Sequence, residues 1–191
     1  LEGRPVVVLS NNDGCAVARS AEVKALGVKM ATPWFQMQDL ARKHGIVALS
    51  SNYTLYADMS NRMMSLLRQF SPRQEIYSID ECFLGLTGFE HLDLVEYGRQ
   101  IRQRVSQWVG IPVCVGIAPT KTLAKLANHC AKKDLAGADG VCDLTRMTDR
   151  QRSTLFATLA VGEIWGVGRK LSERLTGMGI ATVEALRTAD A

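Results

Sequence analysis

Glu75-Ile76-Tyr77-Ser78-Ile79-Asp80-Glu81-Cys82-Phe83-Leu84-Gly85-Leu86 reads as strand, tight turn, strand, with two adjacent carboxylates at the turn. In a regular strand successive side chains face opposite ways, so Asp80 and Glu81 would be parted. At a strand end the backbone bends, and both can approach one place. The flanking Ile76, Ile79, Phe83 and Leu84 are apolar, which puts the pair at the edge of a buried sheet. Two carboxylates held there repel each other and lose hydration unless a cation compensates. Mg²⁺ suits such a pair, because it binds through one or two carboxylates plus substrate phosphates. Taken alone, the residues favour a plainer description, a solvated hairpin tip, since acidic side chains are mostly exposed.

Helical periodicity flanks the hairpin on both sides. Across residues 52–70, Tyr56, Met59, Met63, Leu67 and Phe70 recur every three or four positions, one helix face with methionine as core filler. Residues 91–109 predict a second helix with Leu94, Ile101, Val105 and Trp108 on its apolar face, and residues 112–117 a β-branched strand. Pro119 then opens a helix running to about Lys133. Helix, strand, strand, helix, strand is the order of a ferredoxin-like α+β layer. Upstream, a strand at 6–9 leads into the turn formers Ser10-Asn11-Asn12-Asp13-Gly14, then a short helix at 21–26 closed by Gly27. A further helix runs from Thr32-Pro33, with Thr as cap and Pro at its first position, to His44-Gly45. Beyond Asp134 the chain turns to glycine, threonine and short helical pieces, which places a boundary near 133.

Composition narrows the class. The 191 residues carry 23 Lys plus Arg against 19 Asp plus Glu, a net charge of +4, and 47% are hydrophobic, which excludes disorder. That length is one large or two small domains with a real core. No run approaches the roughly 18 apolar residues of a membrane span, and Leu1-Glu2-Gly3-Arg4-Pro5 lacks a signal peptide's apolar core, so no membrane is expected. Cys15, Cys82, Cys114, Cys130 and Cys142 are scattered without a CxxC pair, against a disulfide scaffold or zinc site and for a reducing, cytoplasmic setting. His44, His91 and His129 share no metal-ligand spacing, and no Walker A or Gly-x-Ser-x-Gly motif occurs. The chain has no initiator Met and enters its first strand within six residues, as a trimmed product or a fragment of a longer protein would.

Two further stretches could carry chemistry. On the helix after Pro119, Leu123, Ala127 and Cys130 make the buried face, and Lys121, Lys125, Asn128 and Lys132 the polar one. A row of ammonium groups can hold phosphates, although a solvated helix face has the same look. In Gly162-Glu163-Ile164-Trp165-Gly166-Val167-Gly168-Arg169-Lys170, a short helix, a Gly-Val-Gly turn and a basic helix start make a helix-hairpin-helix candidate. Its glycines would let backbone N–H groups meet a nucleic-acid phosphate without reading sequence.

Taken together, Tyr77-Ser78-Ile79-Asp80-Glu81 and Val115-Gly116-Ile117-Ala118-Pro119-Thr120-Lys121-Thr122-Leu123-Ala124-Lys125 strongly resemble the Y-family translesion DNA polymerases. Ser10-Asn11-Asn12-Asp13-Gly14-Cys15 and Ala21-Glu22-Val23-Lys24-Ala25-Leu26-Gly27-Val28-Lys29 resemble the bacterial UmuC-like branch, and residues 165–175 match in the same order. The resemblance covers essentially the whole chain. It implies a small fingers domain at 1–51, a ferredoxin-like palm at 52–132 and a helical thumb at 133–191. It implies that Asp80 and Glu81 are catalytic and bind two Mg²⁺ ions, with Glu81 on the side of the attacking 3′-hydroxyl. Lys125 matches the family's triphosphate-binding lysine. Lys24 falls where many relatives place a phosphate-binding arginine, supplying charge without a bidentate fork, and Ala21 stands where they place a tyrosine. Lys121, Gly166, Gly168, Arg169 and Lys170 would contact DNA.

The resemblance further implies primer-template DNA and deoxynucleoside triphosphates as substrates, and a processed UmuD-like subunit and a recombinase filament as partners in the SOS response. Relatives carry another metal-binding aspartate strand before the point matching Leu1, and a little finger after the thumb. The expectation is therefore an active polymerase in the full-length parent and an inactive 191-residue chain. A sheet position left open exposes unpaired backbone groups, so the chain is expected to self-associate or to show a sheet gap beside the hairpin. Two rival readings remain at this stage: a nucleotidyl cyclase-like palm, and a truncated non-catalytic module that binds DNA or a partner.

Overall fold

The computed structural model describes residues 1–189, so residues 190 and 191, the end of the expected thumb, lie outside the described residues. The chain falls into two compact units, Leu1–Asp58 and a second beginning at Met59.

The first unit is a three-stranded sheet with two covering helices. Strands β1 (Val6–Leu9), β2 (Ala16–Arg19) and β3 (Val47–Ser50) lie in the order β2-β1-β3, antiparallel to β2 and parallel to β3. Helices α1 (Ala21–Ala25) and α2 (Trp34–His44) fill the crossover between β2 and β3. Alternation along β1 sends Val7 and Leu9 into a core with Val23, Met37 and Ala41. Ser20 caps α1 by accepting the Val23 N–H, and Gly27 turns the chain with a left-handed φ of 82°. Pro33 is the N-cap of α2, not its first helical residue. A bridge to Cys15 holds Pro33 extended, and the helix starts one residue later.

The second unit contains most of α3 (Tyr53–Leu67), the antiparallel hairpin β4 (Gln74–Ile76) and β5 (Cys82–Leu84), α4 (Leu94–Val109), β6 (Val115–Ile117), α5 (Lys121–Lys132) and β7 (Val141–Asp143). Then follow α6 (Asp149–Thr158), α7 (Arg169–Gly177) and α8 (Val183–Thr188). The order matches the expected helix, strand, strand, helix, strand. The single expected sheet does not form: among the described residues β4–β5 and the parallel pair β6–β7 are separate ladders. Side chains intercept the backbone before β6, which shortens the strand expected over 112–117. The Val113 carbonyl accepts from Arg102 Nε at 2.6 Å and the Cys114 carbonyl from Asn128 Nδ2 at 2.7 Å. Asn128 therefore leaves the polar row predicted for it and turns inward.

Two cores organise this unit. Met63, Leu66 and Leu67 of α3 pack with Ile101 and Val105 of α4, and a second core joins α5, β7, α6 and α8 through Leu126, Cys130, Cys142, Phe156 and Val183. On α4 the buried stripe runs Tyr97, Ile101, Val105, Val109 at a spacing of four. Trp108 is displaced from it, 64% exposed, with the Arg104 guanidinium 4.8 Å above its ring, contrary to its predicted core position. Gly116 is the tightest contact between strand and helix. A Cβ there would lie 2.2 Å from the Asn128 amide nitrogen and 2.3 Å from the Ala124 carbonyl oxygen, both backbone atoms of α5.

Gly116→Ala should therefore push α5 off β6 and cost about 1–3 kcal/mol, as overpacking does, read as a lower urea midpoint at unchanged slope. Cys130 and Cys142 are fully buried, and burial, with Cys130 and Asp143 nearby, pushes the Cys142 thiol up to about 12. Its contribution to stability should be complete below about pH 9 and lost as pH rises toward 12. Native protein at pH 8 should accept a thiol reagent at the half-buried Cys15 and Cys114, with Cys130 and Cys142 labelled only after unfolding, as peptide mass spectrometry would read.

Candidate active site at the acidic turn

The residues between β4 and β5 are closed by their own backbone: the N–H groups of Tyr77 and Ser78 donate to the Glu81 carbonyl at 3.0 and 3.1 Å. Ser78 Oγ donates to Asp80 Oδ1 at 2.8 Å, fixing that carboxylate on the turn's exposed side. The half-buried Glu81 carboxylate accepts from Lys125 Nζ of α5 at 2.6 Å. One helical turn earlier, the Lys121 ammonium pairs with Glu75. Lys121 and Lys125, four residues apart, share one face of α5, and Thr120 fixes where the helix begins by accepting the Leu123 N–H.

Each lysine also sits near a ring of the hairpin, Lys125 5.4 Å from the Tyr77 centroid and Lys121 5.4 Å from that of Phe83. A third ring joins from the turn before α7. Trp165 Nε1 donates to the Tyr77 hydroxyl at 3.1 Å, with the rings 5.2 Å apart at 87°, and Trp165 lies 5.9 Å from Phe83. Nearby, His129 Nδ1 of α5 is 3.2 Å from the Glu163 carboxylate. The site is therefore two acids at a turn, two ammonium groups and three aromatic rings, drawn from three distant stretches of chain.

The expected buried flanks are corrected in part. Cys82 and Leu84 reach the α3–α4 core, but that core stops short of the turn and leaves Ile76 60% and Ile79 49% exposed. Gly166, with φ 94°, makes the turn before α7, and Gly168 is the extended N-cap that precedes Arg169. The segment ahead of it is a single 3-10 turn at Val161–Glu163 rather than a helix. Arg169 is 3.8 Å from Glu173 on the same helix, and Lys170 is exposed. Lys132 is exposed near the end of α5. Lys24 is exposed on α1 of the first unit, as is Ala21.

Sequence reasoning missed Glu75, Tyr77, Phe83 and Trp165 as members of this cluster. Trp165 and Tyr77 are 88 residues apart, so no local period links them. Among the described residues no three His, Cys, Asp or Glu side chains group as a metal cage. Asp80 and Glu81 fit instead the mode in which Mg²⁺ takes one or two carboxylates and completes its shell with substrate phosphates.

The mixed α/β architecture is that of Y-family DNA polymerase structures. It superposes on the insertion ternary complex of Dbh DNA polymerase with a TM-score of 0.79 at 27% identity, covering 99% of this chain and 54% of that one. The impB/mucB/samB family profile matches residues 1–129, and the chain belongs to that family. It is 55% identical to Protein UmuC of Salmonella typhimurium over 94% of its own length and 42% of the relative's. It is 47% identical to Protein SamB of the same organism over its full length and 45% of the relative. The chain thus spans less than half the length of these relatives. Membership decides against the cyclase-like palm.

Both Glu–Lys pairs are partly exposed, so Lys121→Met and Lys125→Met should each change stability by less than about 1 kcal/mol. Chemical denaturation of the two variants would read this, and a larger loss would make either lysine primarily a structural strut.

Proposed function

We propose that these residues form part of a UmuC-like translesion DNA polymerase that adds deoxynucleotides to a primer on damaged template. On this reading residues 1–51 are fingers, 52–132 the palm and 133–191 a thumb in which the Gly-Val-Gly turn and the basic start of α7 meet DNA, and a little finger belongs to the whole protein. The observation that carries the proposal is the acidic turn itself: Asp80 and Glu81 side by side, with Lys125 2.6 Å from Glu81, in a chain 55% identical to UmuC.

Asp80 and Glu81 would hold the two Mg²⁺ ions, which when bound lower the pKa of the primer 3′-hydroxyl and take up charge on the pyrophosphate. Lys125 would exchange its contact with Glu81 for a triphosphate oxygen, and Lys24 would add charge from the fingers. Gly166, Gly168, Arg169 and Lys170 would grip duplex phosphates through backbone N–H groups and charge, as a copying enzyme requires, because phosphate contacts carry no sequence information. Lys121, bound to Glu75 yet half exposed, would reach a nearby phosphate from the same helix. Partners on this reading are a processed UmuD-like subunit and a recombinase filament, and the setting is cytoplasmic. No helix among the described residues is long and apolar enough to cross a membrane.

Primer extension tests the proposal in a protein extended to its relatives' length. Asp80→Ala should lower insertion by about 10³-fold or more, several kcal/mol at 1.36 kcal/mol per decade, and leave primer-template affinity unchanged. Lys125→Ala should raise the nucleotide KM or lower kcat far more than Lys132→Ala. Wild-type insertion by the extended Asp80→Ala variant would overturn the active-site assignment.

A further inference from the structure

A lysine side chain carries four rotatable bonds, and its ammonium binds a phosphate oxygen best when already confined near the place the phosphate will occupy. Lys125 is confined from two sides, by the Glu81 carboxylate at 2.6 Å and by the Tyr77 ring at 5.4 Å. The two restraints differ in kind. A cation on Glu81, or a triphosphate drawing on the ammonium, removes the first. The second needs no change of charge and persists while substrate binds.

Tyr77 lies between β4 and β5 and is 46% exposed; within its own hairpin its ring meets Phe83, 5.9 Å away and tilted at 60°, a contact that leaves the hydroxyl end unheld. Trp165 adds the directional restraint. Its indole N–H donates to the Tyr77 hydroxyl at 3.1 Å, and its ring stands edge-on to that of Tyr77 at 87°. Trp165 is itself anchored, because its neighbour Ile164 packs against the core shared by α5, β7, α6 and α8. Lys121 has a ring neighbour too, Phe83, but that ring offers no hydroxyl through which another element could orient it.

We infer that Tyr77 and Trp165 are positioning residues for Lys125: Trp165 orients the Tyr77 ring, and the ring holds the ammonium where nucleotide phosphate is received. The inference rests on the reading of Lys125 as a nucleotide-binding group. The two can be tested apart.

Acylation of surface amines in the 191-residue chain, read by peptide mass spectrometry, reports the confinement of Lys125 without any catalysis. Relative to Lys132, the Lys125 amine should label roughly two- to fivefold faster in Tyr77→Leu, the range expected for one cation–π contact at an exposed site. Tyr77→Phe and Trp165→Phe, each of which keeps a ring at position 77 and loses the hydrogen bond that orients it, should fall between Tyr77→Leu and wild type. Unchanged Lys125 labelling in all three variants would overturn the inference, and if Tyr77→Leu fails to fold, the two phenylalanine variants decide. In a protein of its relatives' length, the same variants should raise the nucleotide KM by a similar factor, with kcat within twofold and primer-template affinity unmoved. A raised KM in Lys125→Ala with none in Tyr77→Leu would also overturn it. Faster labelling with no KM effect in either would leave the positioning intact and remove the nucleotide-binding role of Lys125.

Discussion

Helix α5 can lie directly on β6 only because residue 116 has no side chain. Any Cβ there would stand within 2.3 Å of two backbone atoms of the helix, a contact no rotamer change relieves. The Asn128 amide, bonded to the Cys114 carbonyl, sets the rotation of the helix about its own axis. Distance and rotation together turn Leu126, Ala127 and Cys130 into the core, and Lys121 and Lys125 toward the hairpin. The placement of both lysines at the acidic turn follows from this one backbone contact.

The pairs at that turn are weak, and their weakness is useful. Ion pairs open to water contribute a kcal/mol or less, because hydration and side-chain entropy offset most of the Coulomb attraction. Packing at Gly116 holds α5 in place, so breaking either pair would cost the fold little. Asp80 is poised differently. Its hydrogen-bond partner is a hydroxyl, not a cation, so no ion pair offsets its charge there. Carboxylate, ammonium and aromatic ring thus converge where binding of a charged substrate would disturb little of the core.

Much of this was readable from local pattern. The hairpin with Asp80-Glu81 at its turn, the short helix closed by Gly27 and the order of helices and strands all follow from alternation, helical period and turn chemistry. Each depends on neighbours within a few residues. The errors have different causes. The strand expected over 112–117 shortened because side chains of α4 and α5, outside the segment, took its carbonyls, whereas Trp108 left the core because the stripe within its own helix advanced by fours to Val109.

The amino-acid sequence by itself determined the acidic turn, the lysine face of α5 and the family resemblance, since each resides in residue identity and short spacing. The tertiary structure alone decided that Lys125 meets Glu81, that Lys121 is paired with Glu75, and that Trp165 hydrogen-bonds Tyr77 from 88 residues away. Periodicity reports which face of an element is buried and is silent on what the other face meets. Those meetings are set by close packing of backbones, and short spacings in a sequence do not encode them.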